Sequence, residues 1–335
     1  MNPLEMTRAL LAGQKTDRLL CMPIFMLYAA KLEGVSYADY VRDYRIAVRC
    51  QLRLVEEFGI DCVSCCSDPV RETADCGAEL EFYDDAPPRA RNLVLERKET
   101  LATLRQPDPL GGGRMTDRVQ ACALFRQKVG GEIPILGWVE GPMAQAADLR
   151  GMMNLMIDLY DDPAWVEELF DWVTEMEIAF ARAQIQAGAD FIGVGDAAAS
   201  LVSAEIYETM ILPREQRLIA AIHQAGGFAR LHICGNTTHL LPYLQATGAE
   251  IIELDHLCDT THARQLLGPK TILMGNFDPV NELYNVTPDV VWDACRRSHQ
   301  LLGDPYILAA GCEVPPGTPR RNVETMVRYA RELFS

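Results

Sequence analysis

The chain has 335 residues, of which 49% are hydrophobic and 23% charged, and its formal net charge is -16 at pH 7. This acidity argues against a nucleic-acid partner, because affinity for the phosphate backbone comes mainly from clustered Lys and Arg. The chain has no run of about 18 apolar residues and no signal-peptide pattern, so we expect a cytoplasmic protein without a membrane partner. Its 11 cysteines lack small-domain spacing and therefore indicate reduced thiols rather than a disulfide framework.

Eight short apolar segments recur along the chain, with helical patterns between them. The predicted strands are 21–27, 60–66, 133–139, 190–196, 228–234, 250–256, 271–276 and 306–312. The predicted helices are 37–58, 114–130, 163–187, 203–224, 238–247, 288–302 and 319–334. Alternating strands and helices favour a parallel sheet, and eight such units predict a closed (β/α)8 barrel, a TIM barrel, that occupies residues 1–335 as a single domain.

The stretch 76–113 interrupts this alternation. It contains Pro87-Pro88, Pro107-Asp108-Pro109 and three consecutive glycines at 111–113. We interpret it as an insertion after the second strand that covers the barrel mouth, and a disordered surface excursion is the alternative.

The segment 231–236 contains a His-x-Cys pair, and a lone cysteine follows the eighth predicted strand. His232 and Cys234 point the same way only if their segment is a strand, because successive side chains of a strand alternate faces. With Cys312 they offer an imidazole and two thiolates, which are ligands that Zn²⁺ prefers, and three protein ligands with an open fourth position are typical of a catalytic site. The alternative is that both cysteines are small buried hydrophobes and His232 is a hydrogen-bonded core histidine.

The position of these residues relative to the barrel favours the zinc interpretation. In such barrels the active site lies at the C-terminal ends of the strands, where Cys234 and Cys312 both fall. The same edge is predicted to hold further polar side chains, namely Asp68, Glu140, Asp196, Asp255, His256, Asn276 and Asp278.

A zinc site with two thiolates and one imidazole favours thiol chemistry. Zinc bound in this way keeps a substrate thiol in its thiolate form at neutral pH. Hydrolysis by bound water is the alternative, but two thiolates reduce the residual positive charge of the metal and make it a poorer Lewis acid.

A second cysteine group lies in the second predicted strand. Alternation places Cys62 and Cys66 on one face and Cys65 on the other, so Cys62 and Cys65 cannot chelate together without a bulge. We expect these cysteines to pack in the core, with Cys66 nearest the catalytic edge as a candidate spare ligand or substrate contact.

Four segments carry a resemblance to a known family. RLHICGNTTHLL, GAEIIELDH, ILMGNFDPV and AAGCEVPPGTPRRNVETMVRYAREL resemble the uroporphyrinogen decarboxylase superfamily, and within it the zinc-dependent methylcorrinoid:coenzyme M methyltransferases. In those enzymes the zinc ligands are the His and Cys of H-x-C-G-N and the Cys of a G-C-x-x-P segment, and by this resemblance they map onto His232, Cys234 and Cys312.

The resemblance implies a zinc-dependent methyltransferase. It would move a methyl group between a corrinoid, carried on a separate corrinoid protein, and a thiol or related small-molecule acceptor or donor. Coenzyme M, another thiol, tetrahydrofolate, an ether and an amine all stay open, and a homodimer is compatible with the sequence. Candidate catalytic residues are Asp196, Glu253 and Asp255, and candidate substrate contacts are Asp68, Cys66, Asn276 and Asp278.

Two alternatives remain. Decarboxylases of the superfamily carry a P-V-W-x-M-R-Q-A-G-R segment, whose two arginines are replaced here by Tyr28 and Leu32. Their catalytic aspartate has a counterpart in Asp68, but the histidine of their final G-H-G segment is replaced by Cys312. The second alternative is a corrinoid-protein or metal-binding partner without its own turnover.

Overall fold

The computed structural model describes residues 1–332 and contains a curled sheet of eight parallel strands. Neighbouring strands pair in the order β1-β8-β7-β6-β5-β4-β3-β2, with helices outside, so the predicted (β/α)8 barrel is confirmed. The strands are β1 (Leu20–Cys21), β2 (Val63–Ser64), β3 (Ile135–Glu140), β4 (Phe191–Gly195), β5 (Phe228–Ile233), β6 (Ile251–Leu254), β7 (Ile272–Phe277) and β8 (Tyr306–Ala310).

Asp61 joins β1 to β2, the two strands at the ends of this pairing order. The Asp61 N–H donates to Cys21 O (3.0 Å), and the Asp61 carboxylate accepts from the Cys21 N–H (2.8 Å). Arg18 donates two further hydrogen bonds to that carboxylate, at 2.8 and 2.6 Å. The Asp61 side chain thus accepts a hydrogen bond from the Cys21 backbone that a longer neighbouring strand would accept through its own backbone.

Helices surround the sheet and also cover one end of it. They are α1 (Pro3–Leu11), α2 (Leu27–Glu33), α3 (Tyr37–Arg42), α4 (Tyr44–Phe58), α5 (Arg71–Asp75), α6 (Arg114–Val129), α7 (Pro142–Arg150), α8 (Met152–Asp161), α9 (Pro163–Gln186), α10 (Ala204–Ile206), α11 (Leu212–Gln224), α12 (Leu241–Leu244), α13 (Ala263–Leu267), α14 (Pro288–Leu302) and α15 (Arg320–Glu332). Across residues 1–332, no helix has the length and apolar character needed to cross a membrane.

Several predicted boundaries were wrong. The helix predicted at 37–58 is two helices, because Asp43 between them is extended (φ -131°, ψ 112°) and its side chain accepts from Arg45 N at the start of α4. The first strand is confined to Leu20–Cys21, because the chain turns into α2 at Leu27. The last two residues of the helix predicted at 319–334 lie outside the described residues.

Two apolar layers fix the barrel. The layer between strands and helices is the larger. Inside the barrel, Met6 of α1 is fully buried in the interior cluster, so α1 packs against the barrel's inner core. Trp138 also fills the interior, and Gly193 makes room for it, since a Cβ there would lie 2.3 Å from the indole ring. The other interior residues are Leu20, Met22, Ile24, Cys66, Leu136, Phe191, Ile251, Ile272, Met274, Ile307 and Ala309.

The segment 76–113 folds against neighbouring helices. It contains an antiparallel hairpin of Leu80–Glu81 with Arg89–Ala90 and a 3₁₀ turn at Lys98–Thr103. Arg150 of α7 donates to Leu95 O (2.8 Å), and Lys98 forms an ion pair with Asp158 of α8 (2.7 Å). That the segment is an insertion which covers the barrel mouth stays a prediction.

Candidate metal centre

The inner face of β5 carries three polar side chains in alternation. Arg230, His232 and Cys234 are spaced two apart, so they share one face of the strand and its continuation. Gly235 follows with a φ of +91°, a conformation that favours glycine, and turns the chain away. The structure therefore confirms that the His-x-Cys pair is presented by a strand at its C-terminal end.

Cys312 reaches the same place from β8. After the strand ends at Ala310, Gly311 passes close to the chain that follows β6, and a Cβ on it would lie 2.4 Å from His256 N. Only glycine fits so close a backbone contact. This approach brings Cys312 Sγ to 3.9 Å from Cys234 Sγ.

The donor atoms of His232, Cys234 and Cys312 lie within 4.8 Å of one another. His232 Nε2 is 3.1 Å from Cys234 Sγ. Two sulfurs held tetrahedrally by zinc, each at about 2.3 Å, stand about 3.8 Å apart, close to the sulfur–sulfur distance found here. The structure thus brings together the three residues that the sequence had proposed, and both their donor set and their spacing fit a zinc ion with one open position.

The two thiols of this cluster have different proton affinities. A hydrogen bond from Cys234, assisted by His232, lowers the pKa of the Cys312 thiol to about 5 against the opposing effect of burial. The same hydrogen bond and burial raise the pKa of Cys234. The Cys312 thiol therefore ionises more readily than the Cys234 thiol.

Glu253 stands behind His232. It is a buried residue of β6 that pairs in register with His232. Its Oε2 lies 3.2 Å from His232 Nδ1 and 2.6 Å from Arg230 Nη2. Burial opposes the charge of this carboxylate, but Arg230 and His232 outweigh burial and lower the pKa of Glu253 to about 2. The carboxylate occupies the Nδ1 side of the ring and leaves Nε2 facing the thiols.

Four other predicted residues adjoin one another after β6 and β7. His256 Nδ1 lies 3.1 Å from Asp255 Oδ1, and His256 Nε2 lies 3.8 Å from Asp278 Oδ2. Asn276 Nδ2 donates to Asp255 O at 3.5 Å. Asp278 also accepts from Val280 N (2.7 Å), which fixes the turn after β7. Because Gly311 contacts the backbone of His256, this group borders the segment that carries Cys312.

Asp68 and Cys66 lie at the end of β2 and are both buried. Arg114 of α6 grips the Asp68 carboxylate with two hydrogen bonds, at 2.8 and 2.7 Å. Burial opposes the charge, but this guanidinium lowers the pKa of Asp68 below its ordinary value. Cys66 Sγ lies 3.4 Å from the thioether sulfur of Met26, and burial raises the pKa of the thiol. A role for either residue in substrate binding stays a prediction.

Asp196 follows β4 and faces the start of α7. Its carboxylate accepts from Ala144 N at 2.6 Å, and burial raises the pKa of Asp196 to about 7. Glu215 lies beside it and accepts from the Tyr207 hydroxyl at 2.5 Å. A catalytic role for Asp196 stays a prediction.

The predicted division of the second cysteine group is confirmed. Cys66 belongs to the cluster inside the barrel, and Cys62 packs against that cluster. Cys65 lies on the outer side, with its sulfur 3.3 Å from that of Cys122 on α6. Alternation along β2 and the residues that flank it separates the two faces as expected.

Three arginines of this region escaped the sequence reasoning. Arg230 had a local signal, because it lies two residues before His232 on the same face of a strand. Arg114 and Arg71 had none, since Arg114 meets Asp68 and Arg71 meets Glu140 only through the tertiary fold. Arg71 is fully buried, lies 2.9 Å from Glu140 and 3.1 Å from Glu72, and also contacts the backbone of Asp68.

The chain matches known proteins along most of its length. A family model described as uroporphyrinogen decarboxylase (URO-D) matches residues 2–333. A methylcobamide:CoM methyltransferase, MtbA, of Methanosarcina acetivorans is 32% identical over 275 residues, which are 79% of this chain and 79% of that protein. A uroporphyrinogen decarboxylase of Trichlorobacter lovleyi is 25% identical over 313 residues, covering 91% of this chain and 90% of that protein.

A solved structure extends the match to the whole fold. A methyltransferase from Methanosarcina mazei superposes with a TM-score of 0.91 and covers 100% of both chains, at 23% sequence identity. At this identity the likeness shows a shared fold.

Proposed function

Since the chain belongs to the uroporphyrinogen decarboxylase family and is an enzyme of its methyltransferase branch, we propose that it is a zinc-dependent methyltransferase acting between a corrinoid and a thiol. The observation that carries this proposal is the convergence of His232, Cys234 and Cys312 at one end of the barrel. A Zn²⁺ ion held there would supply the positive charge that keeps a substrate sulfur deprotonated.

The surrounding residues support the division of roles that we propose. His232 and the two cysteines hold the metal, and Glu253 fixes the orientation of the His232 ring. We propose that Asp255, Asn276 and Asp278, which adjoin one another after β6 and β7, contact the bound substrate. The thiolate sulfur then bonds to the methyl carbon as the cobalt–carbon bond breaks, with the electron pair staying on cobalt. We propose that a corrinoid protein delivers this methyl group at the barrel mouth.

The geometry favours this reaction over decarboxylation. The aspartate that corresponds to the catalytic residue of the decarboxylases, Asp68, is already bound by Arg114 within the protein. Tyr28 and Leu32 replace the arginines that would bind substrate carboxylates, and unpaired carboxylates in a closed site are costly. We expect no catalytic conversion of uroporphyrinogen in an anaerobic assay.

Metal analysis and a methyl-transfer assay test the proposal together. The purified protein should contain about one zinc per chain, as expected for a single three-ligand site. Incubated with methylcob(III)alamin and a panel of thiols, it should convert the cobalamin spectrum to that of the demethylated form, and a chelator should abolish this.

Paired cysteine variants provide the control. Cys234→Ala should lose both the metal and the thiol-dependent reaction, whereas Cys50→Ala, a buried cysteine of α4, should keep both. Full zinc occupancy in Cys234→Ala would contradict the ligand assignment. If every acceptor that supported turnover were a compound other than a thiol, the proposed chemistry would be contradicted. The assignment of the metal ligands would not be affected by that result.

A further inference from the structure

We propose that Arg230 is a positioning residue for the metal centre, which acts by holding Glu253 against the Nδ1 side of His232. This inference rests on the proposed zinc site and adds a residue to it. Arg230 neither belongs to the ligand set nor lies at the open end of the barrel, so its contribution is the orientation of a ligand.

Arg230 places a charge beside largely apolar side chains. Its side chain is 4% exposed and lies inside the barrel, where it borders a gap of only about 10 Å³. The other side chains around this gap are Met22, Cys62, Leu136, Phe191, Ile251 and Met274. A buried ion pair adds little stability over well-packed apolar side chains of similar volume, so stability alone does not account for a guanidinium here.

One carboxylate oxygen connects Arg230 to the proposed ligand. Arg230 Nε donates to Glu253 Oε2 at 3.0 Å, and Nη2 lies 2.6 Å from the same oxygen. That oxygen is also 3.2 Å from His232 Nδ1. The guanidinium therefore fixes the position of the atom that faces the imidazole.

The position of Glu253 selects the nitrogen that His232 offers to a metal. With the carboxylate on the Nδ1 side, the proton of the neutral ring belongs on Nδ1, and the lone pair of Nε2 is directed at the thiols. Nε2 indeed lies 3.1 Å from Cys234 Sγ. Partners that fix the tautomer and orientation of a ligating histidine are general features of zinc sites.

Strand pairing builds this arrangement from three positions. Arg230 and His232 share the inner face of β5, and Glu253 of β6 pairs in register with His232. The arginine also cancels the negative charge of the glutamate, so the pair adds no net charge next to two sulfurs. Without Arg230, the Glu253 side chain would lose both its anchor and its counter-charge.

The test measures metal binding rather than activity. Arg230→Met replaces the guanidinium by an apolar side chain that suits the surrounding residues. The apo-protein is titrated with Zn²⁺ in competition with a chromophoric chelator, and separately with Co²⁺, whose visible bands report ligand number and geometry. We expect zinc affinity to fall about 10- to 100-fold, the usual cost of losing such a partner, with altered cobalt bands. Arg230→Lys should recover part of the affinity.

A matched control variant distinguishes a changed orientation of His232 from a general destabilisation of the fold. Arg118→Met also removes a buried arginine from an ion pair, with Asp117 on α6, and should leave metal affinity and the cobalt spectrum unchanged. Wild-type affinity and an unaltered spectrum in Arg230→Met would overturn the inference.

A second variant covers the case in which Arg230→Met does not fold. Glu253→Gln keeps the shape of the connecting side chain but removes its charge, and it should weaken zinc binding and change the cobalt bands. An unchanged affinity in that variant would overturn the inference equally. If the wild-type protein itself bound no zinc, the proposed function would fail instead, so the two failures are distinguishable.

Discussion

The two sides of the barrel's C-terminal edge hold their polar side chains in different ways. On the side formed by β5, β6 and β8, Arg230 and His232 both face Glu253, and the donor atoms of His232, Cys234 and Cys312 face one another. On the side formed by β2 and β3, carboxylates are closed by arginines from helices: Arg114 binds Asp68, and Arg71 pairs with Glu140. A polar residue at this edge is thus available for chemistry only where its hydrogen-bond and ion-pair partners leave one of its donor atoms free to bind a ligand.

This difference bears directly on Asp68. The sequence presents it as the counterpart of a decarboxylase's catalytic aspartate, yet a bidentate arginine uses both of its oxygens. We therefore expect the residues on the β5–β8 side to carry the chemistry and the ion pairs on the β2–β3 side to stabilise the fold. Substitutions on each side test that division.

The largest effect is expected from Cys312→Ala. It removes one of three converging donors, so methyl transfer to a thiol should fall by more than about 100-fold, beyond the usual cost of losing an outer partner of a ligand. Zinc content and the rate of methylcobalamin demethylation measure this, with circular dichroism as the check on folding. Undiminished transfer in this variant would remove the basis for assigning chemistry to the β5–β8 side.

A smaller and different effect is expected from Asp68→Asn. Removing one member of a buried ion pair leaves Arg114 uncompensated and should cost about 3 kcal/mol of unfolding free energy. Zinc content and the rate of methyl transfer should stay close to those of the wild type. Denaturant unfolding and the transfer assay separate the two quantities, and a lost rate at undiminished stability would instead give Asp68 the predicted substrate-binding role.

The smallest expected effect is a change in how the free energy of unfolding depends on pH, and it concerns the buried pair Asp196 and Glu215. Burial raises the pKa of Asp196 to about 7 and that of Glu215 well above its ordinary value, so the folded state keeps protons that the unfolded chain releases near pH 4. Their contribution to stability is therefore complete below about pH 4 and is lost as pH rises toward 7, by about 1.4 kcal/mol per pH unit for each retained proton.

Glu215→Gln removes one of these titrations. The variant should show a shallower decline of unfolding free energy between pH 5 and 7 than the wild type, measured by denaturant unfolding at several pH values. Asn2→Ala, at the exposed cap of α1, serves as a control that lowers stability without changing the slope. Equal slopes in Glu215→Gln and the wild type would show that the buried carboxylate is ionised in the folded protein.

Local periodicity explains what the sequence could predict. Alternation placed His232 with Cys234 and separated Cys65 from Cys66, because side-chain direction along a strand depends only on neighbouring residues. The eight-strand barrel followed from repeated short apolar segments. Cys312 could be assigned to the same edge because parallel strands end on the same side of a barrel.

Other features depend on contacts that no local pattern records. Helix α7 was missed because seven of its nine residues are buried, so it lacks the one-sided apolar pattern on which helix prediction relies. The pairing of Arg114 with Asp68 joins residues 46 positions apart in sequence. From the sequence alone, an aspartate that forms such an ion pair cannot be distinguished from a free catalytic acid.

The position of the Asp61 junction between β1 and β2 has a consequence for metal binding at the proposed site. β5, which contains His232 and leads to Cys234, and β8, which leads to Cys312, belong to one uninterrupted ladder through β6 and β7. The side-chain-mediated junction lies elsewhere on the barrel. The proposed ligands are therefore preorganised by backbone pairing, and we expect folding not to require the metal, unlike in small domains that fold only around zinc. A Zn²⁺ ion at the proposed site would then leave and return by mass action while the polypeptide keeps its shape.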